Sequence, residues 1–220
     1  MKYKYLLFDL DGTLTDPMEG ITASVQYALK SFGIEEQDMD KLKPFIGPPL
    51  KDSFMKYYGF DGSQAEEAIA KYREWFAPTG ILQNKIYPGI PDMLRELKEK
   101  GKTLAVASSK PGVFVEKILC HFGIRHYFDV VVGSELNGVR GSKEEVVEEA
   151  LRQLAAQTVR DDKKRTAMIG DREFDIYGGK AHGLITVGVT FGYAAEGELE
   201  AAGADHILHS VEELRGLLIQ

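Results

Sequence analysis

The chain has 220 residues, 44% of them hydrophobic and 28% charged, which allows one large domain or a domain carrying a smaller insert. A formal net charge of −7 argues against nucleic acid or an anionic membrane as the main partner, because both select basic surfaces. The single cysteine excludes an intramolecular disulfide. No apolar run reaches membrane-spanning length and no signal peptide is evident, so the expected compartment is the reducing cytoplasm.

The first element is a short apolar run, Tyr5–Phe8, which predicts a buried strand and ends abruptly at Asp9. From about Asp16 to Asn84 the pattern is helical only. Asp16 is an expected N-cap, with Pro17 at the first helical position and Glu19 completing a capping box. Ile21, Val25, Ala28, Leu29 and Phe32 follow at helical spacing. A Pro-rich break over Phe45-Ile46-Gly47-Pro48-Pro49-Leu50 precedes a second helix, and Ser63 is expected to open a third that runs to about Ala77.

Tyr87-Pro88-Gly89 returns the chain to an alternation of helices and strands. Ile90, Met93, Leu94 and Leu97 mark one helix, and Thr103–Ala107 reads as the next strand. The helix expected over Val113–Phe122 carries Cys120, read as a small buried hydrophobe. Further strands are expected at Val130–Val132, Thr166–Ile169, Ile185–Val189 and His206–Leu208, with Asp161–Arg165 as a solvated loop. This order implies right-handed βαβ units. The predicted fold is α/β, a doubly wound parallel sheet formed by residues 1–15 and 85–220, with an all-helical cap domain at 16–84 inserted after the first strand.

Three of these strands end in reactive polar residues: Asp9, Ser108 and Gly170-Asp171. Parallel strands bring such tips to one edge of the sheet, where ligands of open α/β sheets bind. Asp9 and Asp11, two residues apart at a strand tip, repel each other unless a hard cation or a shared proton lies between them. An Asp at such a tip can also act as a nucleophile and form an aspartyl-phosphate. Singly, each of these residues reads as a cap or a turn. The five histidines form no zinc-like pairing, and His206 and His209 read as strand-end or surface residues. Phe191-Gly192-Tyr193 is expected to close a loop near the site.

Asp9-Leu10-Asp11-Gly12-Thr13 resembles the first motif of the haloacid dehalogenase-like phosphatases. Ser108, after the apolar strand Leu104–Ala107, is similar to the family's second motif, and Gly170-Asp171-Arg172-Glu173-Phe174-Asp175 to its fourth. Lys143 fits the third motif, although prolines common around that lysine are absent, and Lys110 competes for the role. The resemblance runs from Phe8 to about Gly192. It implies Asp9 as nucleophile and Asp11 as acid and then base. Mg²⁺ would be held by Asp9, the backbone carbonyl of Asp11, Asp171 and Asp175. Gly12, Thr13, Ser109 and Lys110 would contact the substrate phosphate.

A helical cap is common at this position of the family, where it would roof the crevice, with a hinge expected around Asp16 and Lys85–Tyr87. The Phe45–Leu50 segment resembles the cap loop of phosphoglycolate phosphatase-like members, and the overall pattern is similar to bacterial 5′-nucleotidases. Gly47 and Glu19 are the cap residues expected to bear on substrate choice; Tyr72, Arg73 and Trp75 either line the crevice or only pack the cap core, and packing is the favoured reading of the aromatic ones. The implied activity is Mg²⁺-dependent hydrolysis of a small phosphorylated metabolite, a phospho-acid or a nucleoside monophosphate. A phosphotransferase or phosphohexomutase is the near alternative, and a receiver-like phospho-acceptor a more distant one. The implied partner is a small-molecule phosphate ester acted on by a monomer or weak homodimer.

Overall fold

The structure is a computed structural model and describes residues 2–157 and 163–220. It divides into two compact units, one of residues 1–15 with 86–220, the other of residues 16–85.

The larger unit is built on six parallel strands: β1 (Tyr5–Phe8), β4 (Thr103–Pro111), β5 (Val130–Ser134), β6 (Thr166–Gly170), β7 (Ile185–Val189) and β8 (His206–Leu208). Their order across the sheet is β5-β4-β1-β6-β7-β8. The chain steps outward from β1 to β4 and β5, then returns past β1 to β6. The direction therefore reverses beside β1, which makes the C-terminal ends of β1 and β6 a topological switch point. Leu7 pairs in register with Ala105 on one side and Met168 on the other.

Helices flank the strands in this unit: α4 (Ile90–Glu99), α5 (Gly112–His121), α6 (Lys143–Gln157), α7 (Glu173–Ala181), α8 (Glu198–Ala201) and α9 (Val211–Leu218). The core shows why the sequence folds this way. Leu7, Ala105, Ala107, Val130 and Val132 alternate along their strands onto one face, where Val146, Val147, Ala150 and Leu154 of α6 cover them. Each valine or leucine among them, when fully buried, contributes about 1.5–3 kcal/mol. β1 is buried along its whole length, as its uninterrupted apolar run requires.

The smaller unit holds α1 (Met18–Ser31), α2 (Leu50–Tyr58) and α3 (Gly62–Phe76). Ile21, Val25, Ala28 and Leu29 are buried as their spacing predicts, while Phe32 is half-buried and packs at a tilt against Phe60. Tyr72 is buried and stacks on Phe76; Trp75 is exposed and stacks on Tyr27. Two further short strands, β2 (Thr15–Asp16) and β3 (Lys85–Ile86), pair with each other. No helix among the described residues is long and apolar enough to cross a membrane.

Several elements differ from their sequence reading. Helix α1 starts one residue later than expected: Pro17 occupies the N-cap slot and Asp16 accepts from the Met18 N–H at 3.0 Å, with no capping box through Glu19. Helix α3 is capped by Asp61, which exchanges bonds with Gln64, so Ser63 lies inside it. Strand β4 runs four residues past Ala107 to Pro111, which is also the N-cap of α5. Helix α5 spans Gly112–His121, and Cys120 is exposed instead of buried. The buried face of α5 is Phe114, Val115, Ile118 and Leu119, which leaves position 120 on the opposite side. Asp161 and Asp162 lie outside the described residues, and Lys163–Arg165 form a 3₁₀ turn.

Candidate active site

The tip of β1 turns sharply. Gly12 N–H donates to the Thr15 carbonyl at 2.7 Å and Leu14 N–H to that of Leu10 at 2.9 Å. Gly12 has φ of 79°, and a Cβ there would overlap the Asp171 carboxylate, so both the backbone and the space require glycine. Thr13 is fully buried, and its hydroxyl donates to Asp171 Oδ1 at 3.4 Å.

Asp9 on β1, Asp171 after β6 and Asp175 on the first turn of α7 converge. One carboxylate oxygen from each lies within 4.8 Å of the others, and all three residues are buried. Asp175 accepts from the Arg172 N–H at 3.1 Å, which fixes the start of α7. Lys143, the first residue of α6, is placed by Ser142 and Glu145, each of which accepts from the other's backbone N–H in the manner of a capping box. Its stem runs against Gly178, where a Cβ would come within 2.8 Å of Lys143 Cγ.

The Lys143 ammonium meets Asp9 Oδ1 at 2.9 Å, Asp175 Oδ1 at 2.8 Å and the Ala107 carbonyl at 3.1 Å. Lys110, from the end of β4, pairs with the Asp11 carboxylate. Of the two lysines, Lys143 faces the nucleophile candidate and Lys110 its neighbour. Ser108 is buried beside them at the end of β4, and Ser109 is half-buried with its carbonyl accepting from Ser134 Oγ at 2.7 Å.

Burial pushes the Asp171 carboxyl well above its usual range, reinforced by Asp175 and Asp9. Burial also raises Asp175 to about 6, against the opposing charge of Lys143. Asp11 is raised by burial too, with Lys110 working against the rise. Burial disfavours the Lys143 charge, but Asp175 and Asp9 outweigh it and hold the ammonium above its usual range.

This donor set fits a hard divalent cation. Three buried carboxylates face a single ammonium, which leaves a formal excess of two negative charges among all-oxygen ligands. The carboxylate of Asp11 is not part of this cluster; its Oδ1 is buried with no hydrogen-bond partner.

One feature of the site was not read from the sequence. Glu198 accepts from Arg172 Nε at 2.8 Å, from Glu173 N–H at 2.9 Å and, with its other oxygen, from Ala195 N–H at 2.9 Å. It thereby ties the start of α7 to the loop after β7. In that loop Tyr193 N–H donates to Asp171 Oδ2 at 2.8 Å, so the Phe191-Gly192-Tyr193 segment does close on the site. Glu19 is exposed on α1, and Gly47 has φ of 104° ahead of α2; both belong to the helical unit.

A parallel α/β sheet with a carboxylate at the tip of β1, a lysine ion-paired to it and an acidic trio fits a phosphoryl-transfer type of site. The family model for haloacid dehalogenase-like hydrolases matches residues 6–189, and the chain belongs to that family. It is an enzyme of the phosphatase class. A 5′-nucleotidase of Pseudomonas aeruginosa is 46% identical, over 99% of this chain and 96% of its own length. The tyrosine-protein kinase PtkA of Mycobacterium tuberculosis is 38% identical, over 97% of this chain and 72% of its own. A crystal structure of a predicted phosphatase from Clostridium acetobutylicum is also 46% identical, with a TM-score of 0.94, covering 100% of this chain and 99% of that one.

Proposed function

We propose that the chain is a Mg²⁺-dependent phosphomonoesterase that works through an aspartyl-phosphate on Asp9, with a nucleoside monophosphate as the favoured substrate class. The observation that carries the mechanism is the placement of Lys143 between Asp9 and Asp175, beside Asp171, at the switch point of the sheet. The substrate class is supported by the 5′-nucleotidase relative, which matches along nearly its whole length.

Asp9 attacks phosphorus while the bond to the ester oxygen breaks, and Asp11 gives its proton to that oxygen. Asp11, now a carboxylate, takes a proton from water; the water oxygen attacks phosphorus and Asp9 is released. Burial raises Asp11 above the usual carboxylate range, the direction that favours a proton donor. Ser108, with Gly12, Thr13 and Ser109 around it, is assigned to the phosphate oxygens. Lys143 holds Asp9 in place and offsets the charge that gathers on it. Asp9, Asp171, Asp175 and the backbone carbonyl of Asp11 would hold Mg²⁺, which would neutralise charge on the transferred phosphoryl group.

The helical unit, residues 16–85, is assigned the choice among esters, with Gly47 and Glu19 as its candidate residues. The test is phosphate release with Mg²⁺ from nucleoside monophosphates, phosphoglycolate and hexose phosphates, beside Asp9→Asn. Release that vanishes in the variant supports the reading, and the ranking names the substrate. The PtkA relative favours one second reading, transfer of the phosphoryl group to an acceptor other than water. Phosphoryl transfer with no free phosphate would select it.

A further inference from the structure

Lys110 stands 99 residues from Asp11 in sequence, yet their side chains pair, and both are nearly buried, at 7% and 10% exposure. The pairing depends on an irregularity in the sheet. β4 and β5 run in register from Ala105 to Ser108, then shift before Pro111 pairs with Ser134. Such a shift re-aims the side chains within it. Here it is held by the Ser134 hydroxyl, which donates to the Ser109 carbonyl at 2.7 Å. Lys110 lies inside this shift, and its side chain reaches the tip of β1.

The other lysine of the site cannot take over this task. Its ammonium is already engaged, ion-paired with Asp9 and Asp175 and donating to the Ala107 carbonyl. The two oxygens of Asp11 are also unequal. Oδ2 meets Lys110, while Oδ1 is buried with no hydrogen-bond partner.

From this asymmetry we propose that Lys110 is the positioning residue of Asp11, gripping one carboxylate oxygen so that the other faces the ester oxygen of the substrate. The proposal rests on the phosphatase reading above and adds a residue to it. When Asp9 displaces the ester oxygen, Asp11 Oδ1 gives up its proton and the new carboxylate is already paired with the Lys110 ammonium. When water attacks the aspartyl-phosphate, the same oxygen takes a proton back. The contribution of Lys110 is therefore greatest where the leaving oxygen needs that proton most, as in alkyl esters.

The test compares Lys110→Met with wild type on a nucleoside monophosphate and on 4-nitrophenyl phosphate, whose leaving group departs without protonation. kcat/KM reports the step that breaks the ester bond. It should fall about tenfold or more further on the alkyl ester than on the aryl ester, within the range that acid–base catalysis contributes. Lys110→Gln, which keeps an N–H donor without the charge, carries the same comparison should Lys110→Met fail to fold. An equal loss on both esters overturns the proposal. So does a raised KM with unchanged kcat, which would make Lys110 a grip on the substrate itself. Wild-type enzyme inert on both esters overturns the phosphatase reading and this inference with it; wild-type turnover with an unchanged ester ratio in the variant overturns this inference alone.

Discussion

Lys143→Met removes the one cation of the acidic trio and keeps most of the side-chain volume. Asp9, Asp175 and Lys143 are all nearly buried, with side-chain exposures of 7%, 1% and 5%. Breaking a buried ion pair by removing one partner costs about 3–5 kcal/mol, because the remaining charge is left uncompensated. For a chain of this size that corresponds to a fall in melting temperature of roughly 6–20 °C. The loss should depend on pH. Asp175 already titrates at about 6 with Lys143 present, and without that ammonium it must rise further. The folded variant then holds a proton that the unfolded chain has released, so the variant loses stability as pH rises and recovers as pH falls. Thermal unfolding followed by circular dichroism, in EDTA at about pH 7.5 and about pH 5, should show a large loss at the first and a smaller one at the second. A loss below about 1 kcal/mol at both, or one that grows on acidification, would refute the reasoning.

Gly12→Ala forces a left-handed residue to carry a Cβ against Asp171, so the Mg²⁺ concentration for half-maximal activity should rise about 10–100-fold, measured by Mg²⁺ titration of phosphate release. In wild type, the raised carboxyls of Asp171 and Asp175 favour protonated, metal-free protein at low pH; the Asp175 contribution to stability is present below about pH 4 and lost as pH rises through about 6, and that of Asp171 is lost in the same direction. Mg²⁺ needs those carboxylates deprotonated, so the melting-temperature gain it gives over EDTA should grow with pH across that window. Cys120 is exposed, so it should react with a thiol reagent in the native protein, and Cys120→Ser should change stability by no more than about 0.5 kcal/mol in urea unfolding.

The sheet and the convergence of Asp9, Ser108 and Asp171 were legible because each rests on a local signal, whereas Asp175 was reached through the likeness of Gly170–Asp175 to a family motif. An apolar run that stops at a carboxylate marks a strand tip, and parallel strands then gather Asp9, Ser108 and Asp171 at one edge. The end of β4 was not legible, since Ser108-Ser109-Lys110-Pro111 is polar and ends in proline, and its pairing depends on Ser134 of β5. The cap of α3 was misplaced because Gly62 intervenes between the capping Asp61 and the expected Ser63. Cys120 was misplaced because the apolar residues of α5 were read without fixing which face they cover. The contacts of Lys110 with Asp11 and of Glu198 with Arg172 span 99 and 26 residues, and nothing local marks them.

The central claim is that phosphate passes through Asp9. The most direct measurement is acid quench of the enzyme during turnover of a nucleoside monophosphate with Mg²⁺, followed by peptide mass spectrometry. The account predicts an acyl-phosphate on the peptide that contains Asp9, absent from Asp9→Asn. Undiminished phosphate release by Asp9→Asn, or a phosphoryl group on another residue, would contradict it.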